Sequence, residues 1–296
     1  MRTLVIGAGA YGLALSYSLK GEVFVYSSIS DEIDLLNKTR RSDLFDVSFG
    51  DNIHFVNSID FSYDLIIVAL PSVVIKSEFD KLDLIDVPVI IASKGICDGK
   101  FIYDILKDFF SSIYVLSGPS FASDMINGES IVLTLAGPSE LDIFKDNIKL
   151  EYTNDIFGVE LCGILKNVFA ISCGILNGME VSDSTKAAFL NLVINETMNI
   201  LFYLECDPST IFLACGMGDI ILTCTSSNSR NYSFGYMIGQ GCSSNEINEY
   251  LKVNTVEGVN TLNFLKDMIQ NDLADLIYNI IYNGVDCSKL LEYIVK

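Results

Sequence analysis

Histidine is almost missing from this chain: His54 is the single imidazole in 296 residues. That excludes a multi-histidine metal site and leaves a Ser-His-Asp triad little to stand on. The eight cysteines form no C-x-x-C pair. They read as small buried hydrophobes of a reducing compartment, with cytoplasm as the default and no metal centre implied. Basic residues are scarce, 19 against 38 acidic ones, for a formal charge of −19. Such a charge repels nucleic acid and anionic membrane at long range. It repels a phosphorylated substrate too, so a protein that binds one must gather its few cations and helix N-termini in one place. Lys94, Lys166 and Arg230, set in segments containing Gly, Ser or Asn, fit that description.

Uninterrupted apolar runs are also short. Glu160 and Lys166 break one, Glu196 another and Asp219 a third, so none offers the ~20 apolar residues of a membrane span. The expectation is a protein that is not integral to a membrane. There is no internal repeat, low-complexity tract or Pro-rich linker, and two domains with a shared interface are expected, the site lying in the cleft between them.

What is present is an apolar half, with only 19% charged residues, a balance suited to buried helices and parallel strands. The length exceeds the usual single domain. Thr3 to Ile6, Val23 to Tyr26, Leu65 to Ala69, Val89 to Ala92, Ile113 to Leu116 and Ile131 to Ala136 read as strands with room for crossovers between them, a doubly wound sheet. After about residue 156 long apolar stretches take over, Val159 to Leu176, Thr185 to Leu204 and Val259 to Ile269, and a helical second domain over 157–296 follows.

Arg2 before an Ala- and Gly-rich stretch has the outline of an export signal. Gly7, Gly9 and Gly12, however, have the G-x-G-x-x-G spacing between a strand and a helix. Glycine there allows the tight turn and lets a pyrophosphate approach backbone and helix N-terminus. The end of the second strand, where an acid usually takes the ribose hydroxyls, carries Tyr26, Ser27 and Ser28 instead. Arg40 and Arg41 downstream are either partners for the 2′-phosphate of NADP or solvated surface.

Other candidates lie after strands, where open α/β sheets place ligand-binding loops. Lys94, in Ser93-Lys94-Gly95, and the Ser117 to Ala122 loop, which offers N–H groups and a hydroxyl, belong to this class; an ordinary surface lysine is the plainer account of Lys94. Lys166 sits inside the apolar stretch Leu161 to Ile171. Burial lowers a lysine pKa toward neutrality, which suits proton exchange at a carbinol oxygen; a lysine snorkelling to water is the alternative. Asp219, in Gly-Met-Gly-Asp, is either a site carboxylate or a turn residue. Ser229, Arg230 and Asn231 at a helix start are a phosphate cradle, with Ser229 as a plain cap the simpler reading.

Taken in order, GAGAYG, SKGI, SGPSFA, GVELCGILKNV, DSTKAA, GMGDI, LTCTS, SRN and VEG run almost end to end, and in this the sequence resembles the bacterial-type NAD(P)-dependent glycerol-3-phosphate dehydrogenases. The resemblance implies a Rossmann-type α/β domain over 1–156 and an all-α domain similar to that of 6-phosphogluconate dehydrogenase, commonly in a cytoplasmic homodimer. It implies NAD or NADP as cofactor, interconversion of glycerol 3-phosphate and dihydroxyacetone phosphate, and supply of glycerol 3-phosphate for phospholipid synthesis. By position it makes Lys166 the catalytic acid/base, with Lys94 and Asp219 at the reacting end of the substrate. Gly118 and Ser120 line the substrate, and Ser229, Arg230 and Asn231 hold its phosphate. Ala10, Tyr11, Ser28, Lys94, Ala122, Arg230, Thr255 and Glu257 join the three glycines around the dinucleotide.

Three departures stand out: the family's Leu-Pro-Gly is missing from 43–49, Leu192 replaces a usual arginine, and the C-terminal end is short. Two other readings remain at this stage. One is a related dehydrogenase of another hydroxy compound, against which the Ser229 to Asn231 cluster argues. The other is a nucleotide-binding sensor without turnover, which has no need of Lys166 and Asp219 together.

Overall fold

The structure, a computed structural model, describes residues 1–59, 63–83, 85–269 and 271–296. Its contacts divide the chain into two units, Met1–Ile156 and Phe157–Lys296.

The first unit opens with β1 (Arg2–Ile6), α1 (Ala10–Ser18), β2 (Glu22–Tyr26) and α2 (Ser30–Thr39). A small antiparallel hairpin, β3 (Arg41–Ser42) and β4 (Phe45–Ser48), precedes β5 (Ile53–Val56). Then come β6 (Leu65–Val68), α3 (Ile75–Phe79), β7 (Val89–Ile91), α4 (Ile102–Leu106), β8 (Ile113–Ser117), α5 (Ala122–Ile126), β9 (Ile131–Ala136) and β10 (Ile148–Thr153). The main sheet has the order β10-β9-β8-β7-β6-β1-β2-β5. Its pairs are parallel except β8 with β9. β1 lies between β2 and β6, with Ile6 opposite both Tyr26 and Val68. The chain therefore leaves β1 to one side and later returns on the other, and the crevice beyond the strand ends at such a reversal is where open α/β sheets take ligands.

Strands β1, β6, β7 and β8 are apolar because both faces are covered; every residue of β6 to β8 is buried. β5 and β10 escape a search for continuous apolar runs. β5 alternates, with Ile53 and Phe55 buried while His54 and Val56 are half-covered, whereas in β10 Ile148 is buried and Lys149 and Tyr152 reach solvent. These are the two ends of the sheet, where a single covered face suffices.

The second unit is helical: α6 (Ile156–Gly178, its first residue on the boundary), α7 (Asp183–Tyr203), α8 (Asp219–Thr225), α9 (Arg230–Gly239), α10 (Ser244–Val253), α11 (Glu257–Met268), α12 (Asp272–Asn283) and α13 (Lys289–Ile294). A 3-10 turn, Pro208–Phe212, and a π turn, Ala214–Gly218, join α7 to α8. Caps set several starts: the Ser182 hydroxyl accepts from Thr185 N, and Ser243 with Glu246 forms a reciprocal capping box. Among the described residues α6 alone is long and apolar enough to cross a membrane, and 94% of that stretch is buried inside the protein. It is apolar all round because it is the core helix of its unit, with Leu165, Val168, Phe169 and Ile171 at zero exposure.

Candidate active site

In the first unit the turn from β1 to α1 is glycine-dependent for two different reasons. Gly7 has φ +120°, and a Cβ there would stand 2.6 Å from Ala69 O. Gly12 packs so closely that a Cβ would overlap Gly7 O. Gly9 differs, since a Cβ built on it meets nothing within 4 Å. It is the exposed N-cap of α1 and makes no side-chain cap hydrogen bond. The turn thus ends in open space in front of a nine-residue helix whose first N–H groups receive no capping side chain, a cradle suited to a pyrophosphate. Ala10, exposed, and Tyr11, half-covered, follow it.

Tyr11 ties three of the expected loops together. Its hydroxyl is 3.1 Å from Ser120 Oγ, and Lys94 Nζ lies 5.8 Å from its ring centre. Ser120 Oγ donates in turn to Gly118 O at 3.1 Å. Gly118 itself adopts φ +150° against the backbone of Leu133, a conformation that favours glycine. Ala122 begins α5 after this loop, and Ser28 is exposed two residues past β2.

In the second unit Lys166 sits mid-way along α6, 7% exposed. Its Nζ donates to Asp219 Oδ1 at 2.6 Å and to Thr223 Oγ1 at 3.1 Å, and Thr223 Oγ1 lies 3.3 Å from the same carboxylate oxygen. Asp219 is 1% exposed and starts α8, where a helix N-terminus favours negative charge. The π turn delivers it there: Gly216 breaks the helical dihedrals at ψ −105°, and a Cβ on it would overlap Ile211 O. Burial favours the neutral amine of Lys166 while the carboxylate favours the ammonium, so two opposed influences meet on one proton. Cys224 packs nearby; a hydrogen bond with the Cys173 side chain, then burial, pushes its thiol well above the ordinary range, leaving it inert.

Asn167, next along α6, opens a second cluster. Its Nδ2 donates to Glu257 Oε2 at 3.0 Å, its Oδ1 accepts from Asn231 Nδ2 at 3.1 Å, and Asn231 Oδ1 accepts from Gly258 N at 2.9 Å. The approach is close enough that a Cβ on Gly258 would lie 2.5 Å from Asn167 O. Ser229 caps α9 by accepting from Tyr232 N, and Arg230, exposed, is the first residue of that helix. Thr255 is exposed just ahead of α11. A buried lysine–carboxylate pair is therefore flanked by a helix start carrying a guanidinium.

Comparison with known proteins settles the kinship. The N-terminal model of the NAD-dependent glycerol-3-phosphate dehydrogenases matches residues 3–141 and the C-terminal model residues 155–292. The chain belongs to this family. It is 29% identical to glycerol-3-phosphate dehydrogenase [NAD(P)+] of Wolbachia pipientis over all of both chains. With the enzyme of the same name from Shouchella clausii it shares 31% identity, over 95% of this chain and 92% of the relative. Among solved structures, glycerol-3-phosphate dehydrogenase of Coxiella burnetii superimposes with a TM-score of 0.88 at 21% identity, covering 100% of this chain and 98% of the other. The ordered motifs thus named the right family, and the pairing of a Rossmann-type sheet with a helical unit is the family's fold.

Within this dehydrogenase family member, the expected residues fall into two sets. Gly7, Gly9, Ala10, Tyr11, Gly12, Lys94, Gly118, Ser120 and Ala122 share the carboxyl side of the sheet in the first unit, with Ser28 past β2. Lys166, Asp219, Ser229, Arg230, Asn231 and Glu257 gather around α6 in the second, with Thr255 two residues before Glu257. Sequence reasoning left two participants out of the set. Thr223 stands four residues after Asp219 on one helix, so helical spacing could have found it. Asn167 adjoins Lys166, but nothing local says that it joins Asn231 to Glu257.

Proposed function

We propose that the protein is an NAD(P)-dependent glycerol-3-phosphate dehydrogenase that transfers hydride reversibly between sn-glycerol 3-phosphate and dihydroxyacetone phosphate, supplying glycerol 3-phosphate for phospholipid synthesis. The observation that carries the reading is the buried Lys166–Asp219 pair with Thr223. A nicotinamide bound here would supply the hydride chemistry at C2 of the substrate. Lys166 exchanges the proton at the C2 oxygen, with Asp219 and Thr223 fixing its ammonium. Ser229, Arg230 and Asn231 hold the phosphate through the start of α9 and one guanidinium. Gly118, Ser120 and Lys94 meet the rest of the substrate. Gly7, Gly9, Ala10, Tyr11 and Gly12 would hold the dinucleotide, with Ser28, Lys94, Ala122, Arg230, Thr255 and Glu257 as further candidate contacts.

A cytoplasmic homodimer is part of the same reading. Phe202, Tyr203 and Phe212, at 75%, 65% and 69% exposure, support it as apolar surface for a second copy to cover. The test mixes purified protein with dihydroxyacetone phosphate and NADH or NADPH and follows loss of the reduced cofactor's absorbance, while light scattering weighs the same sample. Substrate-dependent oxidation and a mass twice the 32.6 kDa of one chain are expected. Nucleotide binding without turnover would assign a sensor instead.

Tyr11 offers a finer check. Tyr11→Phe keeps a ring beside Lys94 but releases Ser120. It is expected to raise KM for dihydroxyacetone phosphate about two- to tenfold, the worth of one hydrogen bond, with kcat little changed. Steady-state kinetics with unaltered KM would remove Ser120 anchoring from the account.

A further inference from the structure

Dinucleotide-binding folds commonly keep an acid at the end of the second strand to accept hydrogen bonds from the adenosine ribose, whereas an arginine nearby accommodates a 2′-phosphate. β2 ends at Tyr26 and is followed by Ser27 and Ser28, and the sequence leaves Arg40 and Arg41 as either phosphate partners or solvated surface. The fold engages both elsewhere. α2 starts at Ser30, just past β2, and its ten residues carry the chain ~15 Å away. Arg40 then takes a left-handed conformation, φ 54°, and its guanidinium donates to the carbonyls of Phe49 (3.3 Å), Gly50 and Ile53 (2.8 Å), beside the ring of Phe55. Ile53 opens β5 and pairs with Val23, whereas Tyr26 pairs with Val56. Arg40 is thus committed three strand residues, ~10 Å, from the end of β2, toward the amino side of the sheet. Arg41 donates from Nε to Ser48 Oγ within the β3–β4 hairpin.

The group that returns to the end of β2 is a carboxylate. Glu32, in the first turn of α2, accepts at Oε2 from Ser27 Oγ at 2.8 Å, and Ser27 Oγ also accepts from Ile29 N. Ser27 N donates to Val56 O, so the acid is tethered where β2 and β5 finish. The neighbouring Tyr26 O accepts from Gly7 N at 2.9 Å, which joins this strand end to the glycine cradle. Asp31 stands exposed on the same turn. Lys81, whose charge acts on Tyr26, is paired with Glu78 at 2.8 Å. A 2′-phosphate brought here would face two carboxylates while the arginines nearest in sequence are engaged elsewhere. A ribose diol would instead meet an acceptor already oriented by a hydroxyl.

We infer that this protein selects NAD(H) over NADP(H), with Glu32 acting as the ribose-binding acid in place of the one missing from the end of β2. The inference rests on the dehydrogenase reading and specifies its cofactor. Calorimetric titration of the substrate-free protein with NADH and with NADPH tests it without reference to turnover. Wild type is expected to bind NADH about ten- to a hundredfold more tightly, from like-charge repulsion at the phosphate. Glu32→Gln, with an unchanged unfolding midpoint, is expected to close much of that gap by weakening NADH and strengthening NADPH. Equal affinities in wild type, or a gap that Glu32→Gln leaves intact, would overturn the preference and spare the dehydrogenase reading. Failure to bind either nucleotide would overturn both.

Discussion

Lys166→Ala is expected to lower kcat for dihydroxyacetone phosphate reduction by about 10²- to 10⁴-fold, the usual contribution of a positioned acid. Nucleotide affinity should stay close to wild type, because the glycine cradle belongs to the first unit. The ketone oxygen needs a proton as hydride arrives. Lys166 holds one, 2.6 Å from the Asp219 carboxylate and nearly sealed from solvent. Truncation also removes the cation facing Asp219, and breaking a buried ion pair from one side costs about 3–5 kcal/mol, so lost activity could merely report lost fold. Asp219→Asn separates the two effects: it keeps an oxygen for Thr223 and for the ammonium but removes the charge. In the Lys166→Ala/Asp219→Asn double variant stability should recover and turnover should not. Steady-state rates measured beside denaturant unfolding decide it. A Lys166→Ala protein that is folded, binds nucleotide and keeps more than about a tenth of wild-type kcat would sink the proton-exchange role.

That lysine also shows how far a sequence can be read. A cation inside Leu161 to Ile171 declares itself as costly, and the cost implies a counter-charge. Which counter-charge is a matter of tertiary structure: Asp219 lies 53 positions away and reaches Lys166 only because the Gly216 kink starts a new helix there. The glycine turn was legible from its G-x-G-x-x-G spacing between a strand and a helix, although the steric demands behind it differ: backbone crowds Gly7, from as far away as Ala69, and Gly12, while Gly9 faces open space. The inner strands were legible too, because burial on both faces leaves an apolar run. β5, β10 and the β3–β4 hairpin were not, since alternating or polar short strands look like loops until a neighbour supplies their hydrogen bonds. Arg40 shows where local sequence falls silent. Nothing in Thr39-Arg40-Arg41 announces a left-handed residue whose guanidinium closes over three backbone carbonyls, so the sequence leaves a 2′-phosphate partner and a solvated surface residue equally open.

Gly235→Leu is expected to destabilise the second unit by at least the ~3 kcal/mol at the upper end of ordinary overpacking. In α6 a Cβ on Gly174 would overlap Tyr232 O, and one on Gly178 would overlap Tyr236 O; from α9, Gly235 would overlap Ile171 O and Gly239 would overlap Ile175 O. Each helix thus presents two glycines four residues apart to the backbone of the other, and the contact is carbonyl to Cα with no side chain to give way. On an open helix face, replacing glycine by a good helix former would gain roughly 1 kcal/mol; here the obstructing atom is main chain, so the helices themselves must part. Parting moves the start of α9, with Ser229, Arg230 and Asn231, away from α6 and breaks the 3.1 Å bond from Asn231 to Asn167. Even the milder Gly235→Ala should therefore raise KM for dihydroxyacetone phosphate along with its loss of stability. Gly9→Ala is the contrasting case for folding, since a methyl there meets nothing within 4 Å and stability should hold. Denaturant unfolding of the three variants reads the difference directly. If Gly235→Leu unfolded at the wild-type midpoint, the position of α9 would have to be set by something other than backbone contact with α6.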